Sequence, residues 1–271
     1  MHCNSFKCSS LYLPIQNYDL LKEIVIAIQS YSEAHRFISR HKLWKWIIIP
    51  GIIYSILFVV SMYFFGKSAY SVIDYLNHTT GLDSWIQKFR SGLLGFLFTF
   101  ANIALFLTLI LVYFSLFKYI WLILGSPIFS YLSEKTQSII EEKEFPFEFK
   151  QLMKDAIRGT KLSLRNVIWQ TVYSISLLLL SLIPVIGWIT PLIALAVECY
   201  YYGFSMMDYS CERQKLSSSQ SVEYITKHKG LAIGNGLVFY LMHALILVGW
   251  VLAPAYAVIA ATLSLYKVGK D

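Results

Sequence analysis

The chain has 271 residues, of which 56% are hydrophobic and 14% are charged, and its formal net charge is +7. With a mean hydropathy of +0.56, this composition excludes a soluble globular domain and indicates an integral membrane protein. A helix needs roughly 20 mostly apolar residues to cross about 30 Å of hydrocarbon, and several stretches reach that length. We therefore predict an all-α membrane protein that forms a single domain over residues 1–271.

The N-terminal residues 1–45 are predicted to lie in the cytoplasm or at its membrane interface. Residues 1–14 lack a charged start followed by an apolar core, so we expect no cleavable signal and a first span that acts as an uncleaved anchor. Within residues 20–35, apolar side chains recur at helical spacing. This spacing predicts an amphipathic helix at the cytoplasmic interface, with an apolar face formed by Leu21, Ile24, Val25 and Ile28.

Two long transmembrane helices are predicted in residues 46–125. The first, Trp46 to Phe65, has the length of one span, whereas the second, Gly92 to Leu124, exceeds the bilayer thickness and should tilt or project into the cytoplasm. Proline cannot donate its amide and disfavours helix in the residue before it. We therefore expect the second helix to end at Ser126 and Pro127.

Residues 126–166 are predicted to form a cytoplasmic helical region. The run KQLMKDAIRGTKLSLR, residues 150–165, is basic on one side and apolar on the other. We interpret it as a helix end that rests on anionic lipid headgroups, and a vestibule that attracts an anionic substrate is the alternative.

Residues 167–207 and 231–271 are predicted to form two helical hairpins joined by a cytoplasmic connection over residues 208–230. Each hairpin is interrupted near its middle, by IPVIGWITP in the first and ILVGWVLAP in the second. Both interruptions place Pro a few residues after Gly-Trp, which is a weak internal repeat. The pieces on either side are about 16 to 19 residues, or ~24 to 29 Å as helix, so the hairpins either barely span the bilayer or re-enter it.

The two turns carry no Lys or Arg, and this bears on where they lie. A turn in the membrane requires protein or a water-filled cavity to satisfy its backbone amides and carbonyls. We expect residues 184–188 and 249–250 to be turns buried against protein within the membrane, in preference to exposed loops on the far side.

Basic residues predict the topology. Residues 1–45 hold six Lys and Arg, residues 126–166 hold seven, residues 205–230 hold four and the tail holds two, against three in residues 67–91. Because cytoplasmic loops are enriched in Lys and Arg, both termini are expected in the cytoplasm. This distribution does not distinguish spanning hairpins from re-entrant ones.

Motifs for catalysis and metal binding are absent from the sequence. The four cysteines (Cys3, Cys8, Cys199 and Cys211) show no metal-ligand spacing, and there is no GxxxxGK, HExxH or GxSxG motif. We expect reduced structural thiols, no metal, no cofactor, no catalytic residue and no nucleic-acid partner. A membrane enzyme is therefore the weakest of the functional hypotheses.

Two ionisable residues lie inside apolar runs and are candidate intramembrane polar residues. Ionisable groups are costly there and are functional candidates by default. For Glu198 we leave open a functional role and a structural pairing with a neighbouring helix. For His243 we favour a satisfied interhelical hydrogen bond.

The run RHKLWKWIIIP, which leads into the first span, is a candidate substrate-binding segment. Its cations, Arg40, Lys42 and Lys45, serve either orientation and headgroup contact or an anion site, since charged donors hold sulfate and phosphate well. In a helix Lys42 and Lys45 would be i, i+3 neighbours. We therefore predict that these two lysines hold the anion and that Arg40 points to headgroups.

Three blocks of the sequence carry a family resemblance. They are KLWKWIIIPGIIYSILF (residues 42–58), SPIFSYLSEKTQ (126–137) and MDYSCERQKLSSSQSVEYITKHKGLAIGNG followed by APAYAVIAATLSLYKV (within 207–268). In this order they resemble the CysZ-type sulfate permeases and the wider family these share with eukaryotic etoposide-induced membrane proteins. The resemblance implies an inner-membrane sulfate permease with two long spans and two partly inserted hairpins, assembled as a homo-oligomer in the lipid bilayer.

The sequence departs from this family at the expected anion site. CysZ-type permeases have a Gly-Leu-Arg-Arg-like run before the first span, associated with sulfate binding, and this chain has Lys42, Leu43, Trp44 and Lys45 there. Lysine offers a point charge where arginine offers a bidentate fork. A permease for a small oxyanion, most simply sulfate, is the leading hypothesis, and a non-transporting membrane scaffold or quality-control protein of the same fold is the alternative.

Overall fold

The computed structural model describes residues 19–80, 93–143, 149–181, 183, 185–245 and 247–269. These ranges are all-helical and contain no strand, as predicted. The helices are α1 (Leu20–Arg40), α2 (Trp44–Thr80), α3 (Leu93–Glu141), α4 (Phe149–Ser181), α5 (Thr190–Arg213), α6 (Ser218–Lys227), α7 (Lys229–His243) and α8 (Val248–Val268). Among the described residues, two segments are long and apolar enough to cross a membrane, Trp44–Ser68 and Val248–Val268.

Helix α1 is amphipathic, as the sequence predicts, and it packs against α7 and α8. Its predicted apolar face points away from the protein, with Leu21 67% exposed and Val25 49% exposed. The opposite face is buried. There Glu23 accepts a 2.9 Å hydrogen bond from the Gly230 amide and lies 2.6 Å from His228. A carboxylate is favoured at the positive N-terminus of a helix, so Glu23 fastens α1 to the start of α7.

The two long helices differ from the prediction in their ends. Helix α2 continues to Thr80, so residues 67–80 of the predicted loop are helical, and residues 81–92 lie outside the described ranges. The predicted stop at Ser126 and Pro127 is wrong, because α3 runs through Pro127 to Glu141.

Neighbouring helices contact α3 close to Pro127. Proline leaves the carbonyl four residues earlier without its usual donor, and polar groups on neighbouring helices make that loss tolerable in membrane proteins. Here the Tyr209 hydroxyl of α5 donates to the carbonyl of Leu122, next to the freed one, at 3.2 Å. Helix α3 also packs against α4, α5 and α8.

The residues of the first predicted hairpin lie in α4 and α5, and those of the second lie in α7 and α8; the two helices of each pair pack against each other. Helix α4 already begins in the basic run, so residue 167 lies inside a helix and does not begin one. Helix α7 has 15 residues, or ~22 Å, which is shorter than the hydrocarbon core.

The turns between α4 and α5 and between α7 and α8 have the same backbone geometry. In each, a residue with positive φ stands two positions before glycine, Val185 with φ 77° and Leu247 with φ 67°. Each glycine amide, of Gly187 and of Gly249, then donates a 2.8 Å hydrogen bond to the carbonyl four residues earlier.

Burial in these turns is divided between the glycines and their neighbours. Helix α8 begins at Val248, so the predicted turn at residues 249–250 is wrong, and the chain turns just before it. Gly187 and Gly249 are buried. The adjacent apolar side chains are not, since Val185 is 57% exposed and Leu247 67% exposed. Within the predicted turn at residues 184–188, the exposure of Val185 departs from the expected burial, whereas Leu247 lies before the predicted residues 249–250.

Small residues bring α5 and α7 into backbone contact. A Cβ added at Gly203 would lie 1.9 Å from the Ala232 carbonyl oxygen, and one at Gly236 would lie 1.9 Å from that of Cys199. Such small residues four apart let helices approach closely in membranes. The free thiols of Cys199 and Cys211 are buried, whereas Cys3 and Cys8 lie outside the described residues.

Candidate functional site

A buried ion pair joins α3 to α5. The Lys118 ammonium lies 2.6 Å from a carboxylate oxygen of Glu198, and the two side chains are 5% and 3% exposed. Two charges withdrawn from solvent are tolerated only when they are paired and hydrogen-bonded well. Of the alternatives for Glu198, the structure shows the pairing with a neighbouring helix.

Further hydrogen bonds extend the pair into a network across four helices. Gln170 of α4 donates to one oxygen of Glu198 at 2.5 Å, and Tyr240 of α7 donates to the other at 2.9 Å. The Tyr119 hydroxyl of α3 donates in turn to the amide oxygen of Gln170 at 2.6 Å. We call Lys118, Tyr119, Gln170, Glu198 and Tyr240 the Glu198 network. It lies where the two hairpins meet α3.

A second cluster, centred on Arg158, lies further along α5. Arg158 of α4 makes two hydrogen bonds to the carboxylate of Asp208, at 3.1 and 3.2 Å, and donates to the Ser221 hydroxyl at 2.5 Å. Asp208 begins the connection that follows the first predicted hairpin. Its burial raises the pKa of the carboxyl, and Arg158 opposes that shift.

Hydroxyl groups connect this cluster to α3 and α8. The hydroxyls of Ser133, Ser210 and Thr262 lie within 3.2 Å of one another, and Ser130 donates to Glu212 at 3.1 Å. A cavity of about 10 Å³ beside Asp208, between α4 and α5, has room for a water molecule. Polar groups therefore line the α3–α5 interface on the side of the predicted cytoplasmic segments.

Similarity to known proteins bears on this arrangement. A family model described as "Sulfate transporter CysZ/Etoposide-induced protein 2.4" matches residues 30–254. The chain belongs to this family. It is 27% identical over 143 residues to "Sulfate transporter CysZ" of Pseudomonas fluorescens, covering 52% of this chain and 57% of that protein. Against the protein of the same name from Pseudomonas paraeruginosa it is 24% identical over 238 residues, covering 87% and 92%.

The extent of these matches differs between relatives. A third relative, "Sulfate transporter CysZ" of Pseudomonas aeruginosa, is 26% identical over 159 residues, or 64% of its length. The chain thus aligns with less than two thirds of two of these relatives. The Glu198 network and the Arg158 cluster fall within the range matched by the CysZ/etoposide-induced protein family model, and Thr262 lies beyond it.

The predicted anion-site residues lie at the corner between α1 and α2 of this family member. Arg40 ends α1, Lys45 is the second residue of α2, and all three cations are exposed. Lys42 occupies the intervening turn with φ 53°. The premise that Lys42 and Lys45 share a helical face is therefore wrong, because the chain turns between them.

His243 has different surroundings from those predicted. Its ring packs on Phe58, Phe239 and Trp250, with centroid distances of 4.7, 5.1 and 6.3 Å. Its Nε2 atom is buried and has no hydrogen-bond partner among the described residues. The predicted interhelical hydrogen bond is wrong at this atom, and aromatic contacts hold the ring.

Sequence reasoning missed Lys118, Gln170 and Arg158 as site residues. Lys118 is the one charged residue between Gly92 and Leu124, and Arg158 is one cation of the basic run 150–165. The available signal was a lone Lys inside a long apolar helix, since such a charge requires a partner in the membrane.

Proposed function

We propose that this chain is a permease of the bacterial inner membrane that carries a small oxyanion, and that the oxyanion is sulfate. Membership of the CysZ/etoposide-induced protein family and the names of the relatives from Pseudomonas support the class of function. The observation that carries the proposal is the buried ion pair of Lys118 and Glu198 at the junction of the hairpins.

The ion pair supplies a cation inside an otherwise apolar region. An entering oxyanion competes with Glu198 for the ammonium of Lys118. Glu198 retains its hydrogen bonds from Gln170 and Tyr240 while Lys118 turns to the anion. The pair thus keeps the empty pathway neutral, which lowers the cost of holding a cation there.

Entry to the pathway is assigned to the α1–α2 corner. Lys42 and Lys45 are exposed there and provide charged donors for an oxyanion, while Arg40 contacts headgroups. Two lysines lack the bidentate geometry of arginine, so binding at this point is weak and sensitive to salt.

The proposed topology places both termini, residues 126–166 and residues 208–230 in the cytoplasm. The hairpin turns re-enter the membrane, where Val185, Ile186, Leu247 and Val248 lie against hydrocarbon or a second copy in a homo-oligomer. Their exposure of 50 to 67% supports this placement, because water at such apolar tips is costly.

A specific observation also favours the alternative, a non-transporting scaffold or quality-control protein. Both oxygens of the Glu198 carboxylate accept hydrogen bonds, so the network has the form of a structural crosslink between helices. A scaffold needs the crosslink but needs no exchange of Lys118 between Glu198 and an anion.

Uptake of radiolabelled sulfate into vesicles that contain the purified protein separates the two. The permease should load the vesicles above protein-free controls, Lys118→Gln should abolish uptake, and Lys215→Gln, at an exposed position after α5, should leave it unchanged. No uptake by the unmodified, folded protein would remove the permease proposal and favour the scaffold.

A further inference from the structure

An apolar groove lies between α2, α3 and α8, apart from the Glu198 network. Its volume is about 80 Å³, and its walls include Trp46, Pro50 and Tyr54 of α2, Phe129 of α3 and Pro254 of α8. The rim is open to the outside, since Ile53 and Ile128 on its edge are 50% and 37% exposed. The groove therefore opens on the surface that faces lipid.

One end of this groove is positively charged. The Lys135 ammonium stands 5.7 Å from the centre of the Trp46 ring, and the Tyr131 ring lies 5.0 Å from the same ring. Lys45 is exposed next to Trp46 in the chain. Neither lysine forms an ion pair with a carboxylate among the described residues. An aromatic and cationic end of this kind is typical of the headgroup level of a bilayer.

The length of the groove fits one leaflet. Its α2 wall extends from Trp46 to Leu57, which is ~16 Å of helix and about half of the hydrocarbon thickness. A ligand that matches both features has an anionic head and an apolar chain that reaches the middle of the bilayer.

We infer that this groove binds one anionic phospholipid, with its phosphate at Lys135 and an acyl chain against Pro50, Tyr54 and Phe129. A second copy of the chain is a poorer occupant. In a two-fold interface the same patch meets itself, so the lysines of the two copies would face each other. Like charges in contact oppose such an interface.

Native mass spectrometry of the purified protein, after delipidation and addition of phosphatidylglycerol or phosphatidylcholine, tests the site. The unmodified protein should retain one phosphatidylglycerol in preference to phosphatidylcholine. Lys135→Gln should reduce that preference about fivefold, the effect of one basic residue near the surface. Ile128→Trp, which fills the groove, should reduce retention of both lipids.

Matched variants control for general effects. Lys215→Gln removes an exposed cation in the turn that follows α5, and Ile120→Trp adds an indole at an exposed position of α3 outside the groove. Both should retain lipid as the unmodified protein does. If Lys135→Gln and Ile128→Trp retain lipid as well as the unmodified protein does, the proposal is overturned. Loss of oligomer without loss of lipid in Ile128→Trp would also overturn it and make the groove an interface between copies.

Discussion

Val185 and Leu247 occupy equivalent positions in the two hairpin turns. Each has a positive φ, a conformation that costs branched and bulky residues energy, and each precedes a buried glycine by two positions. The shared geometry shows that the weak sequence repeat reflects one structural unit used twice.

Alanine at the turn glycines should destabilise the protein. A Cβ at Gly249 would lie 1.8 Å from the Met242 carbonyl oxygen, and one at Gly187 would lie 2.5 Å from that of Ser181. We expect Gly249→Ala to lower the melting temperature of the purified protein more than Gly187→Ala does. Gly66→Ala is the control, because nothing lies within 4 Å of its added Cβ. An unchanged melting temperature in Gly249→Ala would contradict the close contact.

Loss of one partner of the buried ion pair should be worse than loss of both. Lys118→Met leaves the carboxylate of Glu198 buried without its cation, which costs about 3 to 5 kcal/mol. Adding Glu198→Gln removes the uncompensated charge, so the double variant should melt at a higher temperature than Lys118→Met alone. Lys161→Met, at an exposed position, is the control. If the double variant melts no higher than the single one, charge imbalance is not the cause.

Topology can be measured by labelling single cysteines with an impermeant reagent. A reporter cysteine must replace an exposed residue. Lys143 and Thr79 are exposed, whereas Ser133, in the same predicted cytoplasmic region as Lys143, is fully buried. We expect a cysteine at Lys143 to react only from the cytoplasmic side and one at Thr79 only from the opposite side, because basic residues favour the cytoplasm. Labelling of the Lys143 position from outside alone would reverse the topology.

Sulfate binding at the α1–α2 corner should depend on two lysines. The variant with both Lys42→Gln and Lys45→Gln should lose binding, measured by equilibrium dialysis, and binding by the unmodified protein should weaken as salt rises. Arg40→Gln should have a small effect, because we assign this side chain to headgroups. Unchanged binding in the double variant would remove the site.

The sequence alone determined the class of the protein and the order of its elements. Its apolar stretches predicted the helices, because length and hydropathy are local properties that a bilayer selects directly. The Gly-Trp repeats lie in the first turn and directly after the second, since a glycine was needed where a side chain would meet the preceding helix.

The tertiary structure decided which polar groups meet. Lys118 and Glu198 are separated by 80 positions in the chain, and no spacing rule connects residues on different helices. The same limit explains the errors at Pro127 and His243. Whether α3 continues depends on neighbours such as Tyr209, and whether a buried ring finds a hydrogen bond or aromatic contacts depends on the helices packed around it.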